Sequence, residues 1–236
     1  MSKSLGNILT LKEIFKDWRP EVLRFFLLSH HYRSPVDFSW DNLSESKTAL
    51  DRFYTTLNAI EEEIEKPKGE ASPRGVMQYT PQGKGGSVSV LEECRQAIES
   101  FQARIEEAMD DDFNTAQALG YFYDLQRHLN SLLDFSKGHR TEETISLLER
   151  GFHHFTNLGS IFGLFKQAPE KYLAEQRKEG LKRLNLSEEE IFKLIEERSF
   201  ARKGKNWKKA DEIRNDLSSK GIILEDTPSG TTWKIK

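Results

Sequence analysis

Four runs of apolar residues at helical spacing constrain this chain more than any other feature. Between residues 41 and 66, Leu43, Leu50, Leu57 and Ile64 recur every seven residues, with Phe53 and Ile60 on the alternate positions. That is the spacing of a long helix packed along a seam. A second seam runs through Leu91, Cys94, Ile98, Phe101, Ile105 and Ala108, and a third through Ala118, Phe122, Leu125, Leu129 and Leu132. The third is closed by Gly138, and a fourth follows from Thr141 through Ile145, Leu148, Phe152, Phe155 and Phe162. Four amphipathic helices of compatible spacing predict an antiparallel helical bundle over residues 41–168. Cys94 lies on a seam and reads as a packed thiol.

The flanks are of other kinds. Thr10 and Glu13 have the spacing of a capping box, and Leu11, Ile14, Phe15 and Trp18 then share one helical face. Pro20 suits a first helical turn, and residues 20–31 are apolar nearly all round, which predicts a buried helix. Residues 32–40 read as a turn or extended link. Residues 67–89 are rich in Gly, Pro and Ser without periodicity and predict a flexible insert.

Residues 169–186 read as a charged short helix and hinge. Ser187 and Glu190 form another capping-box pattern, with Ile191, Leu194 and Ile195 as the buried stripe of the next helix. A further helix over Trp207–Lys220 stops at Gly221. Ile222-Ile223-Leu224 and Thr231-Thr232-Trp233 then flank Pro228-Ser229-Gly230, a β-hairpin pattern. The period changes from helical to alternating only here. The chain is therefore mainly α, with a small α+β module at residues 187–236.

Composition narrows the function classes. Net charge is −3 with 31% charged residues, so a basic footprint has to be local. One cysteine excludes an internal disulfide and a multi-cysteine zinc site, and suits a reducing cytoplasm. The longest apolar run, Val22–Leu28, is short and carries Arg24, so no membrane span is expected. No secretory signal opens the chain. The expectation is a soluble cytoplasmic protein.

Two stretches bear on chemistry. From Arg198 to Lys220 stand Arg198, Arg202, Lys203, Lys205, Lys208, Lys209, Arg214 and Lys220 against only Asp211, Glu212 and Asp216, with Trp207 inside the run. Cations track phosphates, an exposed indole stacks on an unpaired base, and Asp211 and Asp226 supply acceptors for amino edges. A solvated basic helix with a core tryptophan remains the other reading of these residues. The second stretch is the opening Met1-Ser2-Lys3-Ser4-Leu5-Gly6-Asn7. Small residues around a mobile ammonium can meet a phosphate, while a frayed polar terminus is the bland reading.

Nothing else organises a reaction. Asp110-Asp111-Asp112 are adjacent on the chain, diverge on a helix, and read as acids capping the following helix rather than a metal site. His30-His31 and His153-His154 lack the four-residue spacing for sharing a metal.

With these residues in place, the chain resembles one family along nearly its whole length. MSKSLGN is similar to the KMSKS loop of class I aminoacyl-tRNA synthetases, less its first lysine. Arg19-Pro20-Glu21-Val22-Leu23-Arg24 resembles a D-A-L-R element. Met109-Asp110-Asp111-Asp112-Phe113-Asn114-Thr115, with Lys205-Asn206-Trp207, Ala210-Asp211, Gly221-Ile222, Leu224-Glu225-Asp226 and Gly230-Thr231-Thr232-Trp233, resembles the C-terminal half of the cysteinyl-tRNA synthetase family. Only residues 67–89 fall outside.

The resemblance implies a KMSKS remnant at 1–7, stem-contact helices at 8–40, a DALR-type bundle at 41–168 and an anticodon-binding domain at 187–236. It implies ATP contact by Met1, Ser2, Lys3 and Ser4, with Lys3 at the phosphates. It implies anticodon contacts by Arg202, Trp207, Asp211 and Asp226, with Lys203, Lys205, Lys208 and Lys209 along the backbone of tRNA(Cys).

The family's nucleotide-binding domain, HIGH motif and zinc site precede KMSKS. ATP and L-cysteine are therefore expected to engage only with that catalytic part, and no metal is expected in this chain. By itself the chain is expected to be a monomer that binds tRNA weakly and does not aminoacylate. A cysteine–amino-sugar ligase relative and a non-enzymatic helical scaffold are the alternatives.

Overall fold

A computed structural model of the protein describes residues 9–67, 87–227 and 230–235. These form two compact units, Met1–Pro169 and Glu170–Lys236.

Helix is the only regular structure among the described residues of the first unit. The Thr10 hydroxyl accepts from Glu13 N and the Glu13 carboxylate accepts from Thr10 N, so the capping box forms and starts α1 (Leu11–Ile14). The helix is only one turn long. Ile14 is buried, whereas Leu11 and Phe15 of the same expected stripe are exposed. α2 (Pro20–Leu28) starts on its proline and buries Val22, Leu23, Phe25 and Phe26.

α3 (Trp40–Glu65) carries the first seam, and α4 (Ser87–Asp110), α5 (Thr115–Ser136) and α6 (Glu142–Ile161) carry the other three. α4 packs on α5, α5 on α6, and α3 against both α5 and α6. Connections of a few residues between packed neighbours make α4, α5 and α6 antiparallel. The expected insert at 67–89 is shorter at its end, because Ser87–Ser89 already belong to α4; residues 68–86 lie outside the described residues.

At the bundle's centre Phe53, Phe122, Phe155 and Phe165 meet ring to ring, at 5.4 Å for Phe53–Phe155 and 5.0 Å for both Phe122–Phe155 and Phe155–Phe165. Cys94 is buried on its seam, and burial pushes its thiol up to about 12, so it stays a neutral packing group. Glu21 ties α2 to the bundle: it accepts from Tyr54 Oη at 3.1 Å and from Phe165 N at 2.7 Å. Burial raises the Glu21 pKa above the ordinary carboxylate value.

Three expectations shift. The Asp110–Asp112 acids do not cap α5. Asp110 ends α4, and Asn114 is the cap, its side chain accepting from Gln117 N at 3.1 Å. Asp112, in the left-handed region, instead accepts from Tyr32 Oη at 2.8 Å and pairs with Arg33 Nη2 at 3.0 Å. On α6 the core face is rotated: Leu147, Leu148, Gly151, Phe155 and Gly159 are buried, while Ile145, Phe152 and Phe162 are half-buried. At the end of α3 the buried residue is Glu63, not Ile64, because Arg140 pairs with it at 3.3 Å and also donates to the last carbonyls of the helix.

The short helix expected over 169–186 forms as α7 (Pro169–Leu184), which belongs to the second unit from Glu170 onward. Its Leu181 joins a core with Ile191, Ile213, Leu217, Ile222 and Leu224, which gives the helix a buried stripe to form on. α8 (Glu188–Lys203) and α9 (Trp207–Ser219) pack together. β1 (Ile222–Thr227) and β2 (Gly230–Ile235) form an antiparallel hairpin with Leu224 opposite Trp233 and Asp226 opposite Thr231. No helix among the described residues is long and apolar enough to cross a membrane.

Candidate nucleic-acid interface

The second unit gathers the basic run into one turn and two helix ends. α8 starts on a capping box at Ser187 and carries acids in its first turn and Arg202 and Lys203 in its last, an arrangement its dipole favours. It ends in a Schellman motif, with Asn206 N donating to Ala201 O at 2.8 Å and Lys205 N to Arg202 O at 3.0 Å. This motif needs a left-handed residue, and Lys205 takes that conformation (φ 56°). Gly204 stands one position too early to relieve it.

Lys205→Gly is therefore expected to stabilise the unit by about 1 kcal/mol while removing one exposed charge from the turn. Urea denaturation checks this, and a loss of stability would show that the lysine is not strained. Asn206 then caps α9, accepting from Lys209 N at 3.2 Å, so Trp207 occupies the first helical position.

That position holds the indole outside the core. Trp207 is 58% exposed, which removes the core-tryptophan reading. Arg202, Lys203, Lys205, Lys208 and Lys209 are exposed around it in sequence, with no acid between residues 199 and 210. Lys209 approaches Glu197 at 4.0 Å, a weak surface pairing. Asp211 is exposed on α9; the hydrogen bond to Asp226 first, and Asp211 after it, raise the Arg198 pKa above its ordinary value.

Asp226 is half-exposed and its carboxylate is held by donors of this chain. Its Oδ1 accepts from Arg198 Nη1 at 2.8 Å and Thr231 Oγ1 at 2.8 Å, and its Oδ2 from Arg198 Nη2 and Arg202 Nη1, both at 2.9 Å. A carboxylate has about four acceptor positions, and all are taken. Hydrogen bonds from Arg198, then from Thr231, hold this carboxyl far below the usual carboxylate range. Asp226 thus stays ionised and joins α8 to both strands.

Sequence reasoning counted Arg198 among the surface cations. It is only 5% exposed. The missed signal was its place on the stripe of Ile191, Leu194 and Ile195, which continues to residue 198 at helical spacing.

The resemblance also implied a zinc site, in a part of the family preceding KMSKS. Among the described residues no group of three or more His, Cys, Asp or Glu could hold a metal ion. The buried neutral thiol of Cys94 has the wrong character for a metal thiolate. Met1, Ser2, Lys3 and Ser4 lie outside the described residues.

Three family models match the chain in order. Residues 1–48 match the tRNA synthetases class I (C) catalytic domain, residues 104–166 the DALR domain, and residues 187–233 the cysteinyl-tRNA ligase anticodon binding domain. A helical DALR bundle followed by a basic α+β module with an exposed indole defines the C-terminal region of a class I aminoacyl-tRNA synthetase.

The cysteine–tRNA ligases of Geobacter metallireducens and Trichlorobacter lovleyi are each 42% identical to the chain over all 236 residues, covering 45% of the relative. That of Pelobacter propionicus is 40% identical over the same length, covering 46% of the relative. Over its whole length the chain is similar to these cysteine–tRNA ligases, and the order of the three matches is that of a C-terminal part. The chain spans about half the length of the curated relatives it matches.

Proposed function

We propose that this chain is the tRNA-recognising part of a cysteine–tRNA ligase, with its second unit reading the anticodon of tRNA(Cys). The observation that carries the reading is the exposed indole of Trp207, set at the head of α9 among exposed cations with no acid between them. An aromatic platform beside phosphate-tracking cations suits an unpaired, splayed base. Arg202 supplies polar donors next to it, Asp211 an acceptor, and Lys203, Lys205, Lys208 and Lys209 the backbone contacts. The match of residues 187–233 to the anticodon-binding family favours this over the amino-sugar ligase and scaffold alternatives.

The first unit fits a part that works against a catalytic domain. Among the described residues, exposed large apolar side chains concentrate in the stretch matched to the catalytic family, including Leu9, Leu11, Phe15, Leu27 and Trp40. In a complete enzyme this face packs against the remainder of that domain, which supplies the sites for cysteine and zinc. Activation of cysteine by ATP belongs there, with the Met1–Ser4 loop contributing Lys3 at the phosphates on the strength of its motif. The reaction runs in the cytoplasm. The 236-residue chain by itself binds tRNA and does not charge it.

Titration of the full chain with a tRNA(Cys) transcript at two salt concentrations tests the reading. Affinity is expected to fall as salt rises. Trp207→Ala is expected to weaken binding by about 1–3 kcal/mol, roughly 5- to 150-fold. A dissociation constant indifferent to salt and to Trp207→Ala would replace this reading with the scaffold.

A further inference from the structure

Arg198 is the one buried charged side chain among the described residues of the second unit. Its two terminal nitrogens grip Asp226 in a fork, Nη1 also lies 3.4 Å from Thr231 Oγ1, and its Nε is buried without a hydrogen-bond partner. Arg202 stands one turn further along α8 and reaches the same carboxylate through Nη1 alone. Two guanidiniums at this spacing repel unless an anion lies between them. Asp226 is that anion. With its four acceptor positions filled, the half-exposed Asp226 has no acceptor left to offer, and the free hydrogen-bonding edge of the cluster is that of Arg202, whose side chain is 44% exposed.

We propose that Arg198 is a positioning residue for RNA recognition: its fork on Asp226 makes that carboxylate a fixed support that aims the free edge of Arg202 at an unpaired base. The inference rests on the anticodon-reading function proposed above and adds a residue and a ligand class to it. A fixed guanidinium edge offers only donors. It selects a base edge rich in acceptors, the O6 and N7 pattern of a guanine, over one that presents amino groups.

Packing alone does not account for a buried arginine here. An apolar side chain of similar volume would join α8 to the hairpin without desolvating a charge, and such replacements are often neutral or stabilising. What an apolar residue would not do is hold Asp226 under Arg202.

The test uses the full chain and an RNA hairpin carrying the anticodon loop of tRNA(Cys), with companion hairpins in which each loop base is replaced in turn. Arg202→Ala should abolish discrimination at one loop position. Arg198→Lys keeps the charge but cannot form the fork. It should lose discrimination at the same position by about tenfold, within the range of a good base contact, with the salt dependence unchanged. A lost phosphate contact would lower the salt slope instead.

The double variant should bind no worse than Arg202→Ala alone. Retained discrimination in Arg198→Lys, or losses that add in the double variant, would overturn the proposal. Thr231→Val removes a different donor to Asp226 and should give a smaller loss at that same position. It decides the matter if Arg198→Lys does not fold: unchanged discrimination there overturns the proposal. If the unaltered chain binds all the hairpins equally, the reading of function falls, and this inference with it. If the unaltered chain discriminates and only Arg198→Lys behaves like it, the function stands and the role of Arg198 does not.

Discussion

Asp226→Ala is expected to destabilise the second unit by about 3 kcal/mol, the lower end of the range for breaking a buried ion pair. The cost arises at Arg198. With the carboxylate gone, a guanidinium that is 5% exposed keeps only the Thr231 hydroxyl at 3.4 Å. Asp226 itself is 42% exposed, so water can enter and partly solvate the arginine, which sets the figure at the lower end.

The pH dependence has a definite sign. The folded carboxyl titrates far below the ordinary value because Arg198, and then Thr231, hydrogen-bond its charged form. Stability from this group is therefore fully present above the unfolded pKa of about 4, and is lost as pH falls from there toward the folded pKa. In Asp226→Ala that acid-limb loss should be missing, and at neutral pH hydrogen-exchange protection should drop in β1 and the last turns of α8. Unchanged protection there would show that the clamp contributes nothing to the hairpin's attachment.

The clamp also marks where the sequence stopped being legible. The hairpin, its partners and the basic run could all be read from alternation, turn residues and charge. Charge counting put Arg198 with the phosphate-facing lysines, because a single helix shows its stripe but not what the opposing strand offers. Only the register of β1 against β2, with Asp226 facing Thr231, brings an acceptor to that stripe. Trp207 was the converse case. Its place at a helix start was visible, and its exposure was not, since a tryptophan there serves a core as readily as a surface.

In the bundle the third seam was visible as written, the first held as far as Ile60, the second from Cys94 onward, and the fourth was displaced. The fourth failed at Gly151 and Gly159, which apolar counting passes over. A Cβ at Gly151 would lie 2.4 Å from Leu129 Cδ2, and one at Gly159 only 2.3 Å from Phe165 Cδ2. Close approach of a neighbour, rather than hydrophobicity, turns those residues inward and carries Leu147 to the core in place of Phe152. The seventh-residue rule likewise ran past the end of α3, where Arg140 makes it possible to bury Glu63. Periodicity reports which faces are apolar. It does not report the polar pairs and glycine contacts that decide a face's final few degrees.

Phe122→Ala is expected to destabilise the first unit by about 3–5 kcal/mol, the usual cost of truncating a buried aromatic. Phe122 is fully buried, with ring centroids at 4.9 Å to Phe101, 5.0 Å to Phe155 and 5.9 Å to Phe165. Edge-to-face contacts of this kind add about 0.5–1.5 kcal/mol beyond area burial. The size of the loss turns on whether the neighbours can close the void. Phe165 is held in a left-handed conformation, its N–H bonded to Glu21 and its ring against Gly159, so it cannot follow. Phe155 is packed between Phe53 and Phe101.

A void lined by rings that are each fixed from behind stays open, which places the expected value in the upper part of the range. Urea unfolding read at α3, α5 and α6 by hydrogen exchange measures it. A loss below about 1.5 kcal/mol, the level of tolerated volume-conserving core swaps, would mean that the aromatic cluster relaxes as a liquid-like core would. The second unit's cluster of Leu181, Ile191, Ile213, Leu217, Ile222 and Leu224 contains none of these rings. Protection at α8, α9 and the hairpin in the same sample therefore separates a bundle defect from a general one.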